Sequence, residues 1–307
     1  MKNRLRLVVI FIFIAGGFFA LINHEASSQA YNLQIAFIDV GEGDSALIQS
    51  SDGYNILIDG GKVSEGPTVL AYLRDHGVAT LNAIIASHAD SDHIGGLIEV
   101  LKAPDITIDS VIYNGYPGDT QTWTNFVTAV ISDGLTLTSA QFPGELHWGA
   151  TTAYILNPPS GLVNPDSNDV SLVLLIDHDQ IDSLFTGDIN STVESQIIAR
   201  KTPVSADILK VAHHGSNYST SSEFLNEVKP QDSVISVGPN PYGHPGSETL
   251  ARLLASGTRI WRTDLSGTIL VTSSDGVTYQ VIPSRMGSYF FLPVINRSEF
   301  ISLTPAP

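Results

Sequence analysis

The 307-residue chain contains no cysteine, which removes disulfides, thiolate zinc sites and cysteine nucleophiles from consideration. Any bound metal must then sit on His, Asp, Glu or Asn side chains. Positive charge is scarce as well: 15 Lys and Arg stand against 31 Asp and Glu, for a net charge of −16. Binding to a nucleic-acid scaffold through counterion release needs clustered cations, so that class is excluded. A nucleic-acid substrate whose phosphates are held by metal ions is not. Low-complexity stretches and fixed-period repeats are also absent. What remains is 43% hydrophobic and 15% charged, a globular composition with room for one large domain or two ordinary ones.

The apolar run Leu7–Ile22 is 16 residues long, short of the roughly 20 that a spanning helix needs. Lys2, Arg4 and Arg6 precede it, and Ser28-Gln29-Ala30 follows as a small-x-small site. This is the layout of a secretory signal peptide, with an uncleaved N-terminal anchor as the alternative. Residues 1–30 are expected to direct export, leaving a secreted protein, or one tethered to the membrane by this segment and facing outward. Residues 31–283 are expected to form the working domain. Residues 284–307 form a C-terminal tail with an apolar patch, Tyr289–Leu292.

Within the domain, strands and helices alternate. Strands are predicted at 33–40, 45–49, 55–58, 83–87, 111–113, 170–176, 181–186, 208–211, 234–237, 269–272 and 278–282. Helices are predicted at 68–76, 94–102, 121–132, 192–200, 222–228 and 248–256. Two α/β halves of similar order suggest two packed sheets with helices outside.

The chemistry concentrates where strands end. Ser87-His88-Ala89-Asp90-Ser91-Asp92-His93-Ile94-Gly95-Gly96 places four potential ligands within six residues, between an apolar strand and a helix. In an extended loop, positions i and i+2 share a side, so His88, Asp90 and Asp92 can converge, with His93 reaching in from the first helical turn. Gly95-Gly96 allows close backbone packing behind them. Three further strand ends carry Thr186-Gly187-Asp188, Lys210-Val211-Ala212-His213-His214-Gly215-Ser216 and Asn240-Pro241-Tyr242-Gly243-His244-Pro245. His24, His76, His147 and His178 lack this context and read as surface residues.

Taken in order, these motifs resemble the metallo-β-lactamase superfamily, and most closely the hydrolase domain attached to ComEC-type DNA-uptake channels. Ile38–Ser45 and Leu57–Gly61 resemble the same group. The resemblance spans 33–282 and implies a mixed α/β fold, a four-layer αββα sandwich with the metal site at one edge of the sheets. It implies that His88 and Asp90 face a first metal, that Asp92 and His93 face a second, and that Asp188 bridges both. His213 completes the second site, with His214 the competing candidate. The sequence departs from the wider superfamily in two ways: Asp90 stands where most members have His, and the histidine expected before Asp188 is missing. Asn168 or Asp169 would serve weakly there, so the first site is expected to be the labile one. No channel-forming segment accompanies the motifs, and the DNA-uptake role is not expected to transfer.

Sulfur-free ligands suit two Zn²⁺ or Mn²⁺ ions, which can lower the pKa of a bridging water and clamp the oxygens of an in-line displacement. Asp92 would orient the hydroxide, and His214 or His244 would protonate the leaving group. Lys210, Ser216 and Asn240 would cradle a phosphate. The expected activity is hydrolysis of a phosphodiester, such as DNA or a nucleotide. A lactone or ester hydrolase on the same metals and a secreted metal-binding module without turnover are the rivals.

Overall fold

The computed structural model describes residues 31–285. The signal-peptide prediction and nearly all of the predicted tail lie outside them. Among the described residues, no helix is long and apolar enough to cross a membrane.

Apolar side chains alternate along the strands, and the alternation builds two sheets whose apolar faces meet. Leu33, Ile35 and Phe37 pack with Leu174, Ile176, Phe185, Ile208 and Val234 in a single core between the sheets. The intervening residues face outward. Ala36, Leu57 and Ile84 meet helices at 66–75, 97–101 and 121–132, whereas Leu184, Leu209 and Ile235 meet helices at 191–199, 222–228 and 247–256. Three apolar seams between four layers make the expected αββα sandwich.

The eight-stranded sheet runs Gln280–Pro283, Ile269–Ser273, Leu33–Phe37, Ala46–Ser50, Asn55–Ile58, Ala83–Ala86, Val111–Tyr113, Leu137–Ser139. The seven-stranded sheet runs Arg259–Arg262, Asp232–Ile235, Ile208–Lys210, Ile181–Phe185, Val173–His178, Thr151–Asn157, Gly144–Trp148. In each sheet antiparallel hairpins give way to parallel strands. The C-terminal ends of the parallel strands release the loops that begin at Asp59, Ser87, Thr186 and Val211, which is where open α/β sheets place ligands.

The predicted strands and helices form with boundary shifts of a few residues. One prediction is split: 94–102 becomes two short helices, Ser91–Ile94 and Leu97–Leu101, separated by Gly95-Gly96. A Cβ on Gly96 would lie 1.9 Å from the carbonyl oxygen of Gly60, so the two backbones touch behind the ligand loop. Among the described residues six strands escaped the sequence reading: Leu137–Ser139, Gly144–Trp148, Thr151–Asn157, Arg259–Arg262 and the two-residue pair Thr80–Leu81 and Thr107–Ile108. All but Thr151–Asn157 are edge strands, whose solvent side weakens the apolar signal. His178 is a correction. It is 1% exposed, not a surface residue, because Thr151 Oγ1 and the Asn32 side-chain oxygen bind its two ring nitrogens at 2.8 Å each.

Candidate metal centre

His88, Asp92, His93, Asp188 and His214 converge where the strand ends of the two sheets meet. His88, His93 and Asp188 present ligand atoms within 4.8 Å of one another, and so do Asp92, His93 and His214. Asp188 lies between the groups, with Oδ2 3.3 Å from His93 Nε2 and 3.4 Å from His214 Nε2. The Nε2 atoms of His88, His93 and His214 and Oδ1 of Asp188 are buried without a hydrogen-bond partner. Orphaned buried donors and acceptors are costly, and converging imidazole nitrogens and carboxylate oxygens are what a divalent cation would satisfy. The residues fit the metals that the motifs imply.

The opposite side of each ring is occupied. His93 Nδ1 lies 2.9 Å from Asp59 Oδ2, and Asp59 also accepts from the backbone N and the hydroxyl of Ser87. His88 Nδ1 lies 3.1 Å from Ser87 Oγ. His214 Nδ1 contacts the Ser236 carbonyl at 3.0 Å and Asp44 Oδ1 at 3.3 Å. Such partners fix ring orientation and direct each Nε2 into the centre. Sequence reading gave Asp44 and Asp59 no role. Their only signal was membership in the two segments of 38–45 and 57–61 that carried the family resemblance.

The charges are strongly coupled. Burial opposes ionisation of Asp188, yet His93 and His214 beside it hold its carboxyl well below the usual range. Burial likewise disfavours charge on His214, but Asp188 and Asp44 outweigh it and push the imidazole up to about 10. His93 is raised in the same way by Asp188 and Asp59. Asp44 is held low against its own burial by Lys210 and His214. The nearby His88 ring and the hydrogen bond from Ser167 hold Asp90 down at about 2.

The geometry reverses one preference. His214, not His213, stands among the ligand atoms; His213 Nε2 approaches only Asp188, at 4.0 Å. The cause is a left-handed turn, with φ of 52° at both histidines and 81° at Gly215, that aims consecutive rings apart. Asp90 lies at the edge, 3.7 Å from His88 Nε2 and 43% exposed. Of the weak candidates, Asp169 is engaged by the Asn190 amide, whereas Asn168 keeps a buried amide oxygen without a partner next to Ser167, which donates to Asp90.

The expected phosphate cradle does not form. Lys210 follows Ile208 onto the inner sheet face, is 3% exposed, and pairs with Asp44 beneath the centre. Ser216 is buried, and its hydroxyl accepts from the Tyr218 backbone. Asn240 spends its amide on the turn, donating to the Gly238 and His244 carbonyls and accepting from the Tyr242 and His244 backbones. That turn presents His244, whose Nδ1 lies 3.2 Å from Oε1 of Glu42. Glu42 is 3% exposed and accepts from Gly238 N through its other oxygen. Sequence reading missed Glu42, which lies 202 positions away along the chain.

Because His214 stays protonated up to about pH 10, an ion arriving at its Nε2 must expel a proton, so affinity should rise with pH. Titration of Zn²⁺ or Mn²⁺ in buffers of different ionisation enthalpy should show that release. His214→Ala should weaken binding at the second, tighter site by more than about a hundredfold, beyond the loss of a supporting residue, and His213→Ala by less than about tenfold. The reverse ranking would return the ligand role to His213.

A profile of the metallo-β-lactamase superfamily matches residues 38–238. The chain is 29% identical to ComE operon protein 3 of Bacillus subtilis (strain 168) over 272 residues, 81% of this chain and 34% of that protein. It is 33% identical to Recombination protein 2 of Haemophilus influenzae, over 78% of this chain and 28% of that one. With competence protein ComA of Neisseria gonorrhoeae the identity is 32%, over 75% and 31%. The chain thus spans about a third of the length of these relatives. Among solved structures, the metal-dependent hydrolase Tm1679 of the β-lactamase superfamily superposes with a TM-score of 0.54 at 17% identity, covering 79% of this chain and all of that one. The metallo-β-lactamase fold protein YhfI of Bacillus subtilis gives 0.51 at 16% identity, covering 76% and 98%.

Proposed function

Because the chain belongs to the metallo-β-lactamase superfamily of metal-dependent hydrolases, we propose that its own reaction is hydrolysis of a phosphodiester. The observation that carries this reading is the Glu42–His244 pair, whose imidazole lies beside the centre with ring centroids 5.4 Å from His213 and 6.2 Å from His214. His88, His93 and Asp188, with Asp92 and His214, would hold divalent ions, which would supply positive charge for the phosphoryl oxygens and an acidified water. The chain's own residues supply the rest. Asp92, 27% exposed on its side chain, is the ligand-group carboxylate open enough to receive the proton of the attacking water. Water oxygen bonds to phosphorus, the bond to the departing alkoxide breaks, and that alkoxide takes the proton from His244 Nε2. Glu42 orients His244 through Nδ1. The names of the curated relatives, which refer to competence and recombination, support a polynucleotide or nucleotide as substrate.

A second reading, ester or lactone hydrolysis, is favoured by one feature: the cleft beside Asp90 contains Tyr116, Pro117, Leu162 and Val170 and has no Lys or Arg in its lining. Turnover of bis(p-nitrophenyl) phosphate against p-nitrophenyl acetate and a γ-lactone, each with Mn²⁺ or Zn²⁺ added, decides between them. The phosphodiester should be the preferred substrate. Faster turnover of the ester or lactone overturns the proposal, and metal uptake with no turnover of any of the three would identify a binding module.

A further inference from the structure

Beside the centre lies a cleft of about 510 Å³ that opens from Ala89 and Asp90 and runs between two loops, 116–120 and 162–167. That volume is within the roughly 300–1,000 Å³ typical of small-molecule pockets. Its walls are fixed in advance. The Tyr116 hydroxyl donates to the Pro159 carbonyl at 2.9 Å and accepts from Leu162 N at 3.0 Å, locking the ring between the loops. Asn114 accepts from Tyr116 N and donates to the Val170 carbonyl, tying the same wall to the floor. Ser167 fastens the far loop to Asp90.

The charge of this cleft is informative. Its ionisable lining residues are Asp90 and Asp119, and no cation joins them. Grooves that carry a polynucleotide are lined with Lys and Arg along the phosphates and with aromatic rings under the bases. Here only the second half of that pair is present. Tyr116 offers a ring, Thr120 and Asn164 offer hydrogen-bonding edges, and a further phosphate would meet Asp119 with nothing to offset it.

We infer that the cleft receives a single uncharged nucleoside next to the scissile phosphate, so the protein acts on chain ends, dinucleotides or nucleotide esters rather than on internal linkages. This rests on the phosphodiester reading above. The step is an ordinary hydrolysis: water adds to phosphorus, one P–O bond breaks, and the released hydroxyl carries the proton. A chain end can leave its one base in the cleft, whereas an internal linkage would drive a second phosphate against Asp119.

Four substrates test this with the Mn²⁺- or Zn²⁺-loaded protein: linear single-stranded DNA, circular single-stranded DNA of the same composition, thymidylyl-thymidine and methyl p-nitrophenyl phosphate. Linear DNA and the dinucleotide should be hydrolysed, and circular DNA should be slower by more than about tenfold, the size of one misplaced base contact. Tyr116→Ala should raise KM for thymidylyl-thymidine about tenfold, and by more than it raises KM for methyl p-nitrophenyl phosphate. Tyr116→Phe keeps the ring and loses the two hydrogen bonds that lock it, so its KM should fall between those of the wild type and Tyr116→Ala. Asp119→Lys should speed cutting of the circle. Equal rates on circular and linear DNA, alongside turnover of methyl p-nitrophenyl phosphate, overturn this inference and spare the phosphodiester reading. No turnover of any of the four overturns both.

Discussion

Asp188→Asn should strip the protein of its metal and nearly all of its activity while the fold persists. Asp188 is 4% exposed and approaches both His93 and His214 through the same oxygen. Its backbone N donates to Ser171 Oγ at 3.1 Å, which anchors the strand end that carries the side chain. The amide keeps the shape but removes the one anion that lies between the two ligand groups. Bound metal measured by mass spectrometry should fall by more than half. The hydrolytic rate should fall by more than about a hundredfold, the upper range for losing a mere supporting residue. Circular dichroism should be unchanged, because no seam of the sandwich involves Asp188. Asp169→Asn is the control: its carboxylate is turned to Asn190, and the variant should keep most of its metal and rate. Full metal content and rate in Asp188→Asn would show that the cluster is not a two-ion centre.

The second large effect is expected at His244. His244→Ala should lower kcat by about 10²–10⁴-fold on thymidylyl-thymidine, whose leaving alkoxide needs a proton. On bis(p-nitrophenyl) phosphate, whose phenolate leaves without help, the loss should be small. Glu42→Gln keeps the size of the side chain and should give a weaker version of the same leaving-group dependence. Equal losses on both substrates would mean that His244 shapes the turn and donates nothing.

The layers and ligand loop were legible because alternation and helical spacing are local. Leu33, Ile35 and Phe37 declare an inner face in five residues, and the helix predicted at 121–132 forms over those same residues. His88, Asp92 and His93 were legible for the same reason: one short loop holds all three. At the site, what stayed hidden was direction. Nothing in His213-His214 says that the backbone is left-handed there, and that turn decides which ring faces the centre. Alternation puts Lys210 and Val211 on opposite faces of their strand, but which face is interior depends on a second sheet contributed by distant residues. Glu42 reaches His244 only once the two halves are joined, and no periodicity carries that contact.

The left-handed stretch at 213–215 has a consequence for engineering. An L-residue other than glycine or asparagine holds φ near 52° only at a cost of roughly 1–2 kcal/mol. Position 214 must bear that cost for the sake of its ring, but position 213 gains little for it. His213→Gly or His213→Asn should relax the backbone and raise the melting temperature without loss of bound metal. The two adjacent histidines therefore separate the usual trade between robustness and chemistry into one residue that cannot be improved and one that can.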